Sequence, residues 1–174
     1  MLNFKNWVVL NESYTYSCVM ATVEYDKILS WAKKNISKDD LYYKENKSGY
    51  ETEPHVTVLY GLHTTELDEI KEIIKNEKEF EIKLGKISKF ENDDYDVVKI
   101  EVESDKLRKL NDKLKSLKYT STYNGYKPHC TLAYVKKGKC QELVGNKEFF
   151  GKKIKIKELV FSPSTGESKK IELR

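Results

Sequence analysis

The sequence predicts an α+β protein made as one domain over residues 1–174, and three observations lead there. Segments with the two-residue alternation of strands and segments with helical spacing follow one another along the whole chain. Only 3 prolines and 8 glycines punctuate it, and no low-complexity linker marks a boundary. A seven-residue motif occurs twice, once in each half, which implies two structural halves related by an approximate two-fold axis.

The elements can be read in order. Residues 14–23 are rich in Tyr, Cys, Val, Met and Thr and read as a first strand. Over 24–34, Tyr25, Ile28, Leu29 and Ala32 fall on one helical face. Residues 35–53 are polar and tyrosine-rich and predict a loop with one short helix, placed to act as a lid. A strand containing His55 follows. Thr65 and Asp68 have the spacing of a capping box, opening a helix whose buried stripe is Leu67, Ile70, Ile73 and Ile74. Strands at 80–90 and 95–102 flank the turn-prone Asn92, Asp93 and Asp94 and should pair as a hairpin. Ser104 caps a helix carrying Leu107, Leu110, Leu114 and Leu117, an amphipathic repeat that belongs on the outside of a sheet. A strand at 128–135, a short helix at 140–144, and strands at 154–161 and 170–173 complete the chain.

Composition narrows the function classes. With 32 basic and 28 acidic side chains the net charge is +4, too mild for a dedicated binder of duplex DNA, although a local basic cleft for a small anion remains open. Cys18, Cys130 and Cys140 are odd in number and lack metal-ligand spacing, so neither a disulfide framework nor a zinc site is implied, and a reducing cytoplasm is the expected setting. The apolar run Trp7 to Leu10 is too short for a secretory core, and no later run reaches the length of a membrane span.

The chemistry lies in the repeat. Pro54-His55-Val56-Thr57-Val58-Leu59-Tyr60 returns as Pro128-His129-Cys130-Thr131-Leu132-Ala133-Tyr134, with four of seven positions identical. Side chains two apart on a strand share a face, so each His projects with its Thr while Val56 and Cys130 point into the opposite layer. A lone strand histidine is ordinarily structural; two of the chain's three histidines in matched frames are not an ordinary coincidence. Cleaving a phosphodiester calls for one group that takes a proton from the attacking hydroxyl and another that gives one to the leaving oxygen. Paired histidines can hold opposite protonation states near neutrality. The threonine hydroxyls can donate to the non-bridging oxygens, and the scheme uses no metal or other cofactor. A two-histidine metal site is disfavoured, since no further His or Cys ligand sits at ordinary spacing and catalytic zinc takes three protein ligands. His63, at the strand-to-helix turn, is a further residue within reach of substrate. The same alternation assigns Tyr60 and Tyr134 to the apolar face, as core residues.

His55-Val56-Thr57-Val58 and His129-Cys130-Thr131-Leu132 resemble the paired motifs of the 2H phosphoesterase superfamily, and the resemblance covers most of the chain. It implies a bilobal α+β fold with two antiparallel sheets facing a central cleft and helices outside, and it implies that His55, Thr57, His129 and Thr131 are catalytic. Residues 14–21 together with 51–63 resemble bacteriophage RNA-ligase-like proteins, similar in turn to the phage anti-CBASS nucleases. That likeness implies a metal-independent phosphodiesterase, in an infected bacterial cytoplasm, that hydrolyses the 3′-5′ bonds of cyclic di- or trinucleotide immune messengers. Two other readings stay open. One is a 2′,3′-cyclic or 2′-5′ phosphodiesterase of RNA processing, and the other is a protein that holds a cyclic nucleotide without cleaving it. A cyclic oligonucleotide substrate would need aromatic faces and a cation, for which Tyr14, Tyr119, Tyr123, Tyr126 and Lys127 are the candidates.

Overall fold

In the computed structural model, which describes residues 16–44, 49–121 and 125–174, alternation and helical spacing resolve into eight strands and three α-helices among the described residues. In chain order these are β1 (Ser17–Thr22), α1 (Lys27–Asn35), β2 (His55–Leu62), α2 (Leu67–Ile74), β3 (Phe80–Glu91), β4 (Tyr95–Glu103), α3 (Asp105–Leu114), β5 (His129–Lys136), β6 (Lys153–Ile156), β7 (Glu158–Ser162) and β8 (Lys169–Glu172). Short 3₁₀ turns at Lys38–Asp40 and Gln141–Leu143 stand where short helices were expected. No helix of the described residues is long and apolar enough to cross a membrane.

All eight strands hydrogen-bond into one sheet, in the order β6-β3-β4-β5-β2-β1-β7-β8, with every pairing antiparallel. The two separate sheets expected from the resemblance are therefore two four-stranded halves of one sheet, joined where β2 meets β5. A second departure explains how the sheet is shaped. The strand expected at 154–161 is two strands, β6 and β7, broken at Lys157. β6 pairs with β3 in one half and β7 with β1 in the other. Strands at places one and seven of the sheet are thus one residue apart in the chain, so the sheet must be curled until the two come together.

The helices cover one face. Ile28 and Ala32 of α1, Ile70 and Ile74 of α2, and Leu107, Leu110 and Leu114 of α3 are buried in one core cluster with Val56, Val58, Cys130 and Leu132. α1 packs on β5, and α3 packs on β2 and α2. Ser104 Oγ accepts from Leu107 N–H at 3.2 Å, the expected N-cap, while Leu117 lies beyond the end of α3 and packs half-buried on the core. The expected capping box at Thr65 and Asp68 does not form. Glu66 occupies the N-cap of α2 without a side-chain bond, and its own N–H goes to Thr64 Oγ1 at 3.0 Å. The hairpin of β3 and β4 forms as expected, closed by Asn92 N–H to Tyr95 O at 3.0 Å.

The expected lid is also revised. Leu41 and Tyr50 bridge to Val135 and Ala133, and Tyr42 and Glu51 donate their N–H groups to the carbonyls of Tyr134 (3.0 Å) and Leu132 (2.9 Å). The flanks of residues 45–48 are thereby fixed to β5.

Two stability outcomes follow from this packing. Leu110 has no exposed surface, and Leu110→Ala should cost about 2–5 kcal/mol in urea unfolding through an unfilled core position. Gly61 has φ +95°, and a Cβ there would collide with the Thr120 carbonyl oxygen. Gly61→Ala should destabilise by more than about 1 kcal/mol in the same measurement.

Candidate functional site

The two motif strands lie side by side at the centre of the sheet, and their one ladder pair is Val56 opposite Cys130. Continued by one residue each way, that antiparallel register sets His55 across from Thr131 and Thr57 across from His129. Val56 and Cys130 are fully buried among the helices, and burial pushes the Cys130 thiol up to about 12, so it fills space and is no nucleophile. The four His and Thr side chains share the other face, where directly opposed strand residues have Cβ atoms about 4.5–5.5 Å apart.

Beyond the ladder pair the strands diverge, because each carries a bulge at the fourth residue of its motif. In β2, Val19 opposes Leu59 and Met20 opposes Thr57, leaving Val58 extra. In β5, Val98 opposes Ala133 and Lys99 opposes Thr131, leaving Leu132 extra. A bulge shifts alternation by one residue. Val58 with Leu59, and Leu132 with Ala133, therefore stay buried in succession, and Tyr60 and Tyr134 turn to the His face. This corrects their assignment to the helix-side core. Tyr60 packs with Cys18, Met20 and Val160 in a cluster separate from the main core. Tyr134 lies 5.9 Å from the Tyr95 ring, which stacks on Tyr42 at 5.1 Å.

The wedge opened by each bulge is filled by the segment leading to the other motif. Leu41, Tyr42 and residues 49–51 bond along β5, while Thr120 N–H donates to Gly61 O (2.9 Å) and His63 N–H to Lys118 O (3.0 Å) along β2. Asn111 of α3 donates Nδ2–H to the Val58 carbonyl at 2.7 Å, satisfying a group that the bulge would leave unpaired.

The histidines are anchored in the same way. His55 Nδ1 meets the Glu53 carbonyl and His129 Nδ1 the Lys127 carbonyl, each at 2.8 Å. A carbonyl only accepts, so Nδ1 carries the proton in both rings, and proton exchange falls to Nε2. Behind His55, the Glu51 carboxylate accepts from the N–H groups of Thr52 (2.8 Å) and Glu53 (3.2 Å) and so fixes the loop that holds the ring. Burial, the ammonium of Lys99 and the neighbouring His55 hold His129 below its ordinary pKa, against the opposing pull of the Lys127 carbonyl.

Several residues of the site were not legible in the sequence. Lys99 reads as an outward residue of an alternating strand, yet it is 6% exposed and stands opposite Thr131. Its ammonium donates to Ser88 Oγ at 2.6 Å and sits 4.2 Å over the Phe90 ring, which packs edge-on against His129 at 4.8 Å. Glu51 and Asn111 were likewise missed, since only the tertiary fold brings them to the motifs. Among the binding candidates, Tyr126 is partly buried against the core and donates its hydroxyl to the Thr57 carbonyl at 2.9 Å, which braces a motif. Tyr119 is half-buried on the core beside Leu62. Lys127 is exposed and contributes its carbonyl to His129. His63 stacks on Tyr16 at 5.0 Å and bonds to Thr120 Oγ1 at 2.8 Å, apart from the His–Thr quartet. Tyr14 and Tyr123 lie outside the described residues.

The depressed His129 gives a signed prediction. Below about pH 6.5 the unfolded chain protonates this imidazole before the native state does, so stability falls as pH drops toward the folded value. Urea unfolding from pH 8 to 5 should show that slope, and His129→Asn should flatten it.

The model of the 2′-5′ RNA ligase superfamily matches residues 33–155, a span that contains both motifs. No curated protein matches the chain in sequence. Among solved structures, Kluyveromyces marxianus Usb1 with uridine monophosphate superposes with a TM-score of 0.58 at 12% identity, over 91% of this chain and 98% of that one. Escherichia coli LigT complexed with 3′-AMP gives a TM-score of 0.56 at 13% identity, over 92% and 95%. At these identities the likeness is one of fold.

Proposed function

The chain belongs to the 2′-5′ RNA ligase superfamily, the 2H phosphoesterases, and on that premise we propose that it is a metal-independent phosphodiesterase whose reaction is carried by His55, Thr57, His129 and Thr131. The observation that carries this reading is the antiparallel seam at Val56 and Cys130, with one Nδ1-anchored histidine and one threonine on each side of it. Anchoring sets the tautomer that acid–base work needs, and each proton transfer is worth about 10²–10⁴-fold in rate. The reaction begins with in-line attack on a 3′-linked phosphorus by a ribose 2′-hydroxyl, or by water in its place. One Nε2 takes the nucleophile's proton as the new P–O bond forms. The other Nε2–H protonates the leaving 5′ oxygen as its bond to phosphorus breaks. Thr57 and Thr131 donate to the non-bridging oxygens, where charge accumulates.

For the substrate, the cyclic di- or trinucleotide reading rests on the resemblance of residues 14–21 and 51–63 to phage proteins. A second reading, an RNA-type 2′,3′-cyclic or 2′-5′ diester, is favoured by the ligands of the two similar folds, uridine monophosphate and 3′-AMP. The two proposed substrate classes are both ribonucleotide phosphodiesters and ask the same chemistry of the four side chains.

Product chromatography with EDTA present should show cleavage within a panel of cyclic di- and trinucleotides, 2′,3′-cyclic mononucleotides, 2′-5′ oligoadenylate and linear RNA. His55→Ala and His129→Ala should each abolish turnover while leaving the fold intact by circular dichroism. Thr57→Ala and Thr131→Ala should each lower kcat on the order of 10²–10³-fold. A double histidine variant with full activity would defeat the assignment.

A further inference from the structure

The approximate two-fold axis matches the His and Thr of each half but does not match their neighbours. Across from Thr57 on β1 stands Met20; across from Thr131 on β4 stands Lys99. Across from His55 stands Thr22, and across from His129 stands Glu101. A chemically symmetric pair of motifs is thus set between two different walls.

Lys99 is the odd member. A buried ammonium loses hydration that only an anion or several acceptors can replace. Its one hydrogen bond is to Ser88, its charge rests on the Phe90 ring, and among the described residues no carboxylate lies within 4.0 Å of it. Lys89, on the neighbouring strand, shows the ordinary solution, a 2.8 Å pair with buried Asp96. The ammonium of Lys99 shares its face with Thr131 and His129, the place where a phosphodiester would bring a negative charge.

Resting on the phosphodiesterase reading, we infer that Lys99 is the anion-binding cation of this site, its ammonium taking a non-bridging phosphate oxygen, and that its one-sided position makes His129 the base and His55 the acid. His129 is faced by Lys99 and Glu101 from β4, by Lys127 ahead of it on its own segment, and by His55 from β2. Burial and the adjacent ammonium favour its neutral form, in which Nε2 has a lone pair for the 2′-hydroxyl proton. The flank of His55 is different. Thr22 donates to the Glu158 carboxylate at 3.1 Å, and Lys170 holds that carboxylate at 2.9 Å. Met20 occupies the place where Lys99 would have its counterpart. The β1 wall beside His55 thus lacks the ammonium that β4 sets beside His129. In the step itself, the P–O2′ bond forms as His129 Nε2 gains the hydroxyl proton, and the P–O5′ bond breaks as His55 gives its Nε2 proton to the leaving oxygen.

The test is Lys99→Met, which installs the residue that the other half already carries, alongside Lys99→Arg, with Lys99→Gln in reserve should the Met variant misfold. Calorimetric titration with 3′-AMP should show binding weakened about tenfold or more in the Met variant, with a shallower salt dependence, and largely restored by Arg. On the panel diester that the wild type cleaves, kcat/KM should fall on the order of 10²-fold, and the acidic limb of its pH profile should move to higher pH as His129 regains basicity. Wild-type protein that binds no 3′-AMP, or a folded Met variant that binds it equally well, overturns the anion assignment. An unmoved acidic limb overturns the assignment of His129 as base. If the wild type cleaves nothing, the phosphodiesterase reading fails by itself, and the 3′-AMP titration still decides whether Lys99 binds anions.

Discussion

The pairing of Val56 with Cys130 is the joint on which the molecule depends. It connects two four-stranded halves into one sheet, and it sets the register of both motifs at once. A slip of one residue would send all four His and Thr side chains under the helices and bring Val56 and Cys130 to the open face. Burial of those two residues in the helix-side core opposes any such slip, because the alternative would take apolar side chains out of that core and put polar ones into it. The same contact that stabilises the fold therefore sets the distance between the two His-x-Thr motifs.

The joint is short because each strand bulges immediately after its motif, at Val58 and at Leu132. The bulges detach β2 from β5 and leave backbone groups that need partners. The chain supplies them by exchange: the segment leading into β2 bonds along β5, and the segment leading into β5 bonds along β2. Each motif is thus held from behind by the approach to the other. Asn111, Tyr126 and Glu51 complete this backing, taking the Val58 carbonyl, the Thr57 carbonyl and the Thr52 and Glu53 amides. In the proposed reaction, ordered backing of this kind would hold the four side chains in place without reorganisation.

Two-fold symmetry suits a reaction that needs two proton carriers of the same type, but it leaves them equivalent. The chain breaks the equivalence outside the motifs, in the strands that flank them. Met20 and Lys99 occupy matching places on opposite walls, so the chemistry repeats while the local field does not. Membership of the 2′-5′ RNA ligase superfamily accounts for the repeated part. The unrepeated part belongs to this chain's own residues.

Much of this was legible in the chain's own sequence because it is written in short-range patterns. Alternation and helical spacing determined the α+β class, the hairpin of β3 and β4, and the amphipathic α3 with its Ser104 cap; the repeated His-x-Thr identified the quartet. Each of these rests on residues within about one turn or a few strand positions of one another, where steric and rotamer preferences act directly. The tertiary structure decided the rest. It split 154–161 between two halves of the sheet, left Thr65 without a capping role, turned Tyr60 and Tyr134 to the His face, and brought Lys99 beside Thr131. These outcomes depend on register, and register is set by the strand alongside, which lies dozens of residues away in sequence. Periodicity states which residues share a face, but one extra residue in a bulge reverses it, and only the neighbouring strand determines where that residue falls.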